Sequence, residues 1–374
     1  MEACHVLIAG GGPAGSACAW KLQQAGLDVV VVDGATFPRD KVCAGWITPQ
    51  VIDDLRIDTD EYRRGRTFQP ITGFRTGIIG RSRDLETTYT RAVSFGIRRC
   101  EFDFYLLQRS GARLCLGTRI SSVRRDGEQW VVNERFRTAV LVGAGGHFCP
   151  VARTLNPTFD GAPLVVAQEA EFEIPPEGAG AFTTAPETPE LYFSQDLKGY
   201  GWCFRKEGYL NVGFGRLESG QLPRASAEFV DFLKAAGKIP ADTRWRWRGH
   251  AYLLSTPPRR RIVDDGVILV GDAAGLAYPQ SGEGIRPAIE SGLIAAATIA
   301  GATGRYTRAQ LARHEERLRA RFSDQPLTRM IARTIPSSLT ASIATWLFDS
   351  PAFVRHVLLD RWFLHADEPA LSAA

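Results

Sequence analysis

The apolar positions of this chain follow two spacings, and the places where one gives way to the other mark its elements. His5-Val-Leu-Ile-Ala9 is a continuous apolar run, as a strand buried on both faces requires. Ser16 to Ala25 carries apolar residues at helical spacing until Gly26 stops it, and Asp28-Val-Val-Val-Val-Asp33 is a second β-branched run. Strand, helix and strand within about thirty residues make a βαβ unit. Phe102 to Gln108 reads as a helix, Thr118 to Val132 as short strands around a turn at Asp126-Gly127, and Thr138 to Gly143 as another buried strand. Arg63 to Thr90, rich in Arg, Gly and Thr with short alternating runs, predicts strands outside that sheet.

Between Pro157 and Pro257 the pattern changes. Strand-like pieces at Leu164 to Phe172, Glu190 to Ser194, Gly199 to Lys206 and Tyr209 to Gly215 are separated by Pro/Gly turns, with one helix at Ser226 to Ala236. The α/β signal returns at Val267-Ile-Leu-Val-Gly-Asp272 and continues into a helix from Gly284 to Ala302. Beyond Thr307 the spacing is helical and amphipathic. No segment repeats.

Composition narrows the class. The chain has 374 residues, 44% of them hydrophobic and 23% charged, which excludes collagen-like, low-complexity and disordered proteins. That length suggests two domains, or one large discontinuous one. A net charge of +4, spread evenly, gives no footprint for nucleic acid. The basic residues divide into six Lys and thirty-nine Arg, so any lysine-dependent mechanism is easy to check. Seven scattered cysteines without a C-x-x-C pair read as reduced thiols, and six unclustered histidines support no metal site. The N-terminus lacks signal-peptide character, and the longest weakly polar run, Gly292 to Gly304, is too short to cross a bilayer. The expected location is the cytoplasm, in solution or peripheral to the membrane.

Two glycine clusters carry the chemistry. In Gly10-Gly-Gly-Pro13-Ala14-Gly15, Gly10 permits a tight turn, Gly12 lets backbone approach a pyrophosphate, and Gly15 lets helix and strand pack closely. The helix N-terminus offers unbonded N–H groups to the anion, and Asp33 closes the second strand where a ribose hydroxyl would donate. The second cluster, Ile268-Leu-Val-Gly-Asp272-Ala-Ala-Gly275 with Pro279-Gln-Ser-Gly282-Glu-Gly284-Ile285, chooses FAD over NAD. Asp272 can hold a polyol such as the ribityl chain. The glycines bring a helix N-terminus to a planar ring, where its dipole stabilises a reduced flavin. The predicted fold class is therefore α/β: a Rossmann-like FAD-binding domain, an inserted antiparallel β-sheet substrate domain and a C-terminal helical segment. The FAD-binding domain is expected over 1–62, 98–156 and 258–306, the β-rich substrate domain over 63–97 and 157–257, and the helical segment over 307–374.

These residues resemble the FAD-dependent oxidoreductases of the p-hydroxybenzoate-hydroxylase-type fold, and most of all the geranylgeranyl reductase family, over about the first 300 residues. Phe37-Pro-Arg39-Asp-Lys41-Val-Cys43-Ala44-Gly45-Trp46 is similar to the family's F-P-R-x-K-x-C-G-G segment, which lies along the cofactor. Arg99-Cys-Glu-Phe-Asp103 is similar to its R-x-x-F-D element, whose arginine approaches the FAD phosphate and ribityl region. Tyr200-Gly-Trp202-Cys-Phe204-Arg-Lys206 is similar to the Y-x-W-x-F-P-K signature lining the prenyl pocket, with Arg205 in place of Pro. Alternation puts Tyr200, Trp202, Phe204 and Lys206 on one face of a strand, where three aromatics, with Trp46, could wall a slot for a flat hydrocarbon. The same residues would serve equally as an aromatic sheet core.

The resemblance implies a flavin-based reduction of C=C bonds in a prenyl or other lipophilic chain, with no catalytic side chain fixed. Cys43, placed beside the flavin by the resemblance, and His147, in the loop after Gly143-Ala-Gly-Gly146, are candidates, and a plain buried thiol or a structural histidine describes each equally well. Related hydroxylases carry A-D-G near Gly143; the acid is absent here and no second G-x-G-x-x-G occurs, so the external reductant, NAD(P)H or a ferredoxin-type donor, stays open. Flavin monooxygenase chemistry is the alternative. Halogenation is disfavoured because no lysine lies between Lys41 and Lys198, where those enzymes place the one they need. A third reading is a non-catalytic flavoprotein that binds lipid. Ile343 to His365, with Arg355 and Arg361 among helically spaced apolar residues, could meet anionic headgroups or pack on the protein itself.

Overall fold

A computed structural model describes residues 1–371 apart from 82, 160–163, 218, 245, 256–258, 303 and 323–345. The expected boundary at 257/258, residues 323–345 of the expected helical segment and the start of the Ile343–His365 stretch lie outside the described residues. The chain divides into two units. Unit 1 comprises Met1–Asp40, Cys100–Pro163 and Tyr252–Ser323; unit 2 comprises Lys41–Arg99, Leu164–Ala251 and Asp324–Ala374. Residues 41–62, expected with the FAD-binding segments, thus belong to unit 2. The segment expected to be separate after residue 306 is shared between the two units.

Unit 1 is built on a parallel sheet. The strand Glu2–Ala9 lies between Val29–Asp33 and Phe136–Gly143, with Arg113–Leu116 beyond the former and Val267–Leu269 beyond the latter. Its buried residues Val6, Leu7 and Ile8 explain the unbroken apolar run, since both faces of the sheet are covered. The predicted hairpin at Asp126-Gly127 joins Val123–Asp126 to Gln129–Val132, which pairs antiparallel with Phe136–Gly143. Helix Pro13–Gln24 packs on helix Ile285–Gly301 at near-contact of backbones: a Cβ on Gly292 would stand 2.2 Å from the Ala14 carbonyl oxygen.

Unit 2 holds a seven-stranded sheet in the order Arg248–Leu253, Leu164–Glu173, Tyr209–Arg216, Gly199–Lys206, Glu190–Phe193, Gly73–Ile78, Leu85–Thr88. From Leu164–Glu173 to Leu85–Thr88 its pairs are antiparallel except Glu190–Phe193 with Gly73–Ile78, which run parallel. Helix Leu222–Ala235 covers one face, seating Phe229 and Leu233 on Cys203, Leu210, Val212 and Phe214. That helix begins four residues before the expected start. Pro223 is tolerated in a first turn that has no backbone bond to lose. Alternation turns Glu169, Glu171, Trp202, Phe204, Lys206 and Asn211 to the opposite face.

Candidate active site

In unit 1 the first glycine cluster forms a cradle that side chains would fill. Gly10 has φ +120, and a Cβ there would meet the Ala144 carbonyl oxygen at 2.4 Å; one on Gly15 would lie 1.9 Å from the Gly10 oxygen. Gly12 caps the helix that starts at Pro13 without any side-chain bond, so the amides of Ala14 and Gly15 keep their donors for a ligand. Arg39 Nη2 would stand 3.4 Å from a Cβ on Gly12, and its Nη1 lies 3.1 Å from the fully buried Asp103 carboxylate. Asp33 accepts from Gly11 N–H and Ala35 N–H, one at each carboxylate oxygen, both at 2.8 Å. Each oxygen keeps a lone pair for a hydroxyl.

The second cluster is also in unit 1. Asp272 sits in the turn Gly271–Ala273, its Oδ1 3.5 Å from where a Cβ on Gly284 would be. Gly284 precedes helix Ile285–Gly301 with no side-chain cap, and Ile285 is buried. Gly282 has φ +70, and the Tyr252 hydroxyl would lie 2.3 Å from a Cβ placed there. His147 lies in the loop after Phe136–Gly143, edge-on to Phe148 at 4.6 Å, and its carbonyl accepts from Arg260. A bare-backbone cradle, uncapped helix ends and two carboxylates at strand ends fit the phosphates and polyol of a flavin dinucleotide.

Unit 2 supplies the remaining candidates. Lys41 Nζ lies 2.7 Å from His250 Nε2. Cys43 N–H donates to Glu169 Oε2 at 2.7 Å, and the Cys43 carbonyl accepts from Asn211 Nδ2 at 3.3 Å. Burial pushes the Cys43 thiol up, and Arg99, which bonds it, only partly offsets that, so it is a neutral thiol and no ready nucleophile. Ala44 and Ile97 carbonyls both accept from Lys206 Nζ at 3.1 Å. Gly45, at φ +71, leaves room for that ammonium, because a Cβ would stand 2.9 Å from it.

The aromatic face is present, and its members differ. Trp202 lies flat: a Cβ on Gly213 would meet the indole at 2.1 Å, and Trp202 Nε1 donates to Asn211 Oδ1 at 2.7 Å. Tyr200 is half-buried, 6.1 Å from Trp202 and 5.4 Å from Phe363 between ring centres. Phe204 is wholly buried beneath Trp46, at 6.1 Å, and Trp46 also meets Phe74 and Phe363. The helical stretch Val354–Phe363 buries Val354, Leu358, Leu359 and Phe363 within unit 2, so its apolar side is used for packing.

Sequence reasoning missed the polar cluster that shares this face. Lys206, fully buried, reaches Glu171 Oε2 at 2.5 Å; Asn211 Nδ2 donates to Glu171 at 3.0 Å and to Glu169 at 3.3 Å, and Arg98 reaches Glu171 at 3.2 Å. These cations and donors hold the Glu171 carboxyl below its usual range, whereas burial raises Glu169 to about 7. The available signal was Glu169 and Glu171 two apart in a strand that opens with the apolar run Leu164–Ala167, which puts both acids on one face.

A family model described as the FAD binding domain matches residues 3–324. A menaquinone reductase of Mycolicibacterium smegmatis is 30% identical over 318 residues, covering 78% of this chain and 75% of its own. A geranylgeranyl diphosphate reductase of Rhodobacter capsulatus is 29% identical over 305 residues, covering 77% and 73%. The chain belongs to the geranylgeranyl reductase family of FAD-dependent oxidoreductases. Among solved structures, this flavoprotein is similar in fold to a geranylgeranyl bacteriochlorophyll reductase-like protein of Thermoplasma acidophilum. The TM-score is 0.79 at 20% identity over 98% of each chain. A probable FAD-dependent monooxygenase of Pseudomonas aeruginosa shares the fold at a TM-score of 0.66 and 20% identity, over 92% of this chain and 97% of its own. Among the described residues, no helix of this oxidoreductase is long and apolar enough to cross a membrane.

Proposed function

We propose that this oxidoreductase reduces C=C bonds in a prenyl or other isoprenoid lipid. The observation that carries the reading is the aromatic face of unit 2, where Trp202 lies flat over Gly213 beside Tyr200, with the Glu169, Glu171 and Asn211 side chains alongside on the same face. A flat apolar surface of that kind suits an extended alkene chain. Relatives named for reduction of menaquinone and geranylgeranyl diphosphate support the same substrate class.

FAD, when bound, supplies hydride chemistry. Gly10, Gly12, Pro13, Ala14, Gly15, Asp33 and Arg39 would hold its dinucleotide part, and Asp272, Gly282, Gly284 and Ile285 its ribityl and ring end. Lys41, Cys43, Ala44, Gly45 and Arg99 are the further cofactor contacts this reading assigns. Tyr200, Trp202 and Trp46 would orient the hydrocarbon and exclude water, with Phe204 as the support under Trp46. Electrons would enter from NAD(P)H or a ferredoxin-type donor.

The test is anaerobic. The purified protein is reduced without oxygen and mixed with geranylgeranyl diphosphate or menaquinone, and flavin absorbance is followed. Substrate-dependent reoxidation supports the reductase; turnover that requires oxygen and yields hydroxylated product overturns it. A Trp202→Ala variant should keep its flavin and lose this reoxidation.

A further inference from the structure

Alkene reduction adds a hydride and a proton, and the proposed function above assigns no group to the proton. Desolvation pushes the half-buried Cys43 thiol up, which makes it a weak acid. The polar cluster of unit 2 contains two carboxyls with different partners. Glu171 is paired with Lys206 and Arg98 and also accepts from Asn211. Among the described residues no cation is bonded to Glu169, and the hydrogen bonds it accepts there, from Cys43 N–H and Asn211 Nδ2, reach Oε2. Its Oε1 therefore accepts none from the described residues.

Register fixes the rung on which the Glu169 side chain stands. Glu169 lies opposite Gly213, and Gly213 opposite Trp202, so carboxyl and indole occupy one rung of the sheet with only a glycine between them. Asn211 ties the two together: its Nδ2 donates to Glu169 while its Oδ1 accepts from Trp202. The residue is 5% exposed, on the face that carries Tyr200 and Trp202.

We propose that Glu169 is the general acid of the reduction, delivering its proton from Oε1. This rests on the reductase reading above. In the step, the alkene π bond breaks, and hydride from the two-electron-reduced flavin forms one new C–H bond. The π electron pair takes the Glu169 proton to form the other. Flavin ends oxidised, and Glu169 ends as a carboxylate that regains a proton from water.

The charged groups facing Glu169 fit this role. Glu171 on its own strand opposes ionisation, Lys206 two strands away favours it, and the Cys43 loop gives a neutral thiol with Arg99 behind it. Burial outweighs the rest and raises the carboxyl to about 7, the range in which an acid is both loaded and willing to give up its proton.

Glu169→Gln tests this, because the amide oxygen can still accept from Cys43 N–H and only the proton is lost. Two measurements decide it, each on the flavin-loaded protein. The first is the infrared band of a protonated carboxyl, expected to titrate near pH 7 in wild type and to be missing from E169Q. The second is the single-turnover anaerobic reoxidation described above. E169Q is expected to keep its flavin and substrate binding but slow by about 10²–10⁴-fold and lose the wild-type pH dependence. Wild-type rate and pH profile in E169Q overturn the proposal, as does a wild-type spectrum with no carboxyl titrating near neutrality, a readout that stands even where E169Q fails to fold. Loss of flavin or substrate binding in step with the rate overturns it too, leaving Glu169 a brace for the Cys43 loop. If wild type is not reoxidised by lipid at all, the reductase reading has failed and this proposal fails with it.

Discussion

Glu169 and His314 are both buried, and burial moves their protons in opposite directions. Glu169 is raised from 4.5 to about 7, so the folded protein binds its proton more tightly than the unfolded chain does. Its contribution to stability is present below 4.5 and is lost as pH rises through 7. His314, whose Nε2–H donates to the Leu269 carbonyl at 3.0 Å, is lowered from 6.5 to about 4 by burial. Its contribution is present above 6.5 and is lost as pH falls toward 4. Melting temperatures across pH check both signs. Wild type should lose ground to E169Q on the alkaline side, and to His314→Gln on the acid side. Glycines give a steric test at the same scale. Gly15→Ala places a Cβ 1.9 Å from the Gly10 oxygen, closer than any relaxation accommodates cheaply. Destabilisation of about 1–3 kcal/mol and loss of bound flavin on gel filtration are expected.

At the scale of elements, the strands and helices of unit 1 were legible because local pattern and tertiary role agree: apolar runs are buried on both faces, and glycines stand where backbones nearly touch. The edge strand Arg248–Leu253 was not legible, since its residues are largely exposed or half-exposed and show no alternation. The candidate site divides the same way. The glycine clusters declare their geometry in the chain, whereas Cys43–Glu169 joins a loop to a strand far along the chain and Asn211–Trp202 joins neighbouring strands, and only the folded structure reveals either. Gly213→Ala tests the register directly: a methyl 2.1 Å from the indole must displace Trp202. KM for the lipid should rise while flavin content is unchanged. The Val354–Phe363 stretch is held to unit 2 by Phe363, which meets Trp46, Phe193 and Tyr200 and is fully buried. Phe363→Ala should cost about 3–5 kcal/mol in denaturant unfolding.

At the scale of the whole molecule, unit 1 is drawn from three separated stretches of chain. Ala9 pairs with Gly143, and Gly143 in turn with Leu269. A ribosome therefore releases the first βαβ long before its sheet is complete, and the turn bearing Asp272 arrives after all of Leu164–Ala251 has been made. Contacts of such long range are slow to form and leave strand edges bare meanwhile. The nascent chain would thus spend most of its synthesis as a client for chaperones. Flavin should be captured only as translation nears its end, and a truncation at residue 250 should emerge colourless.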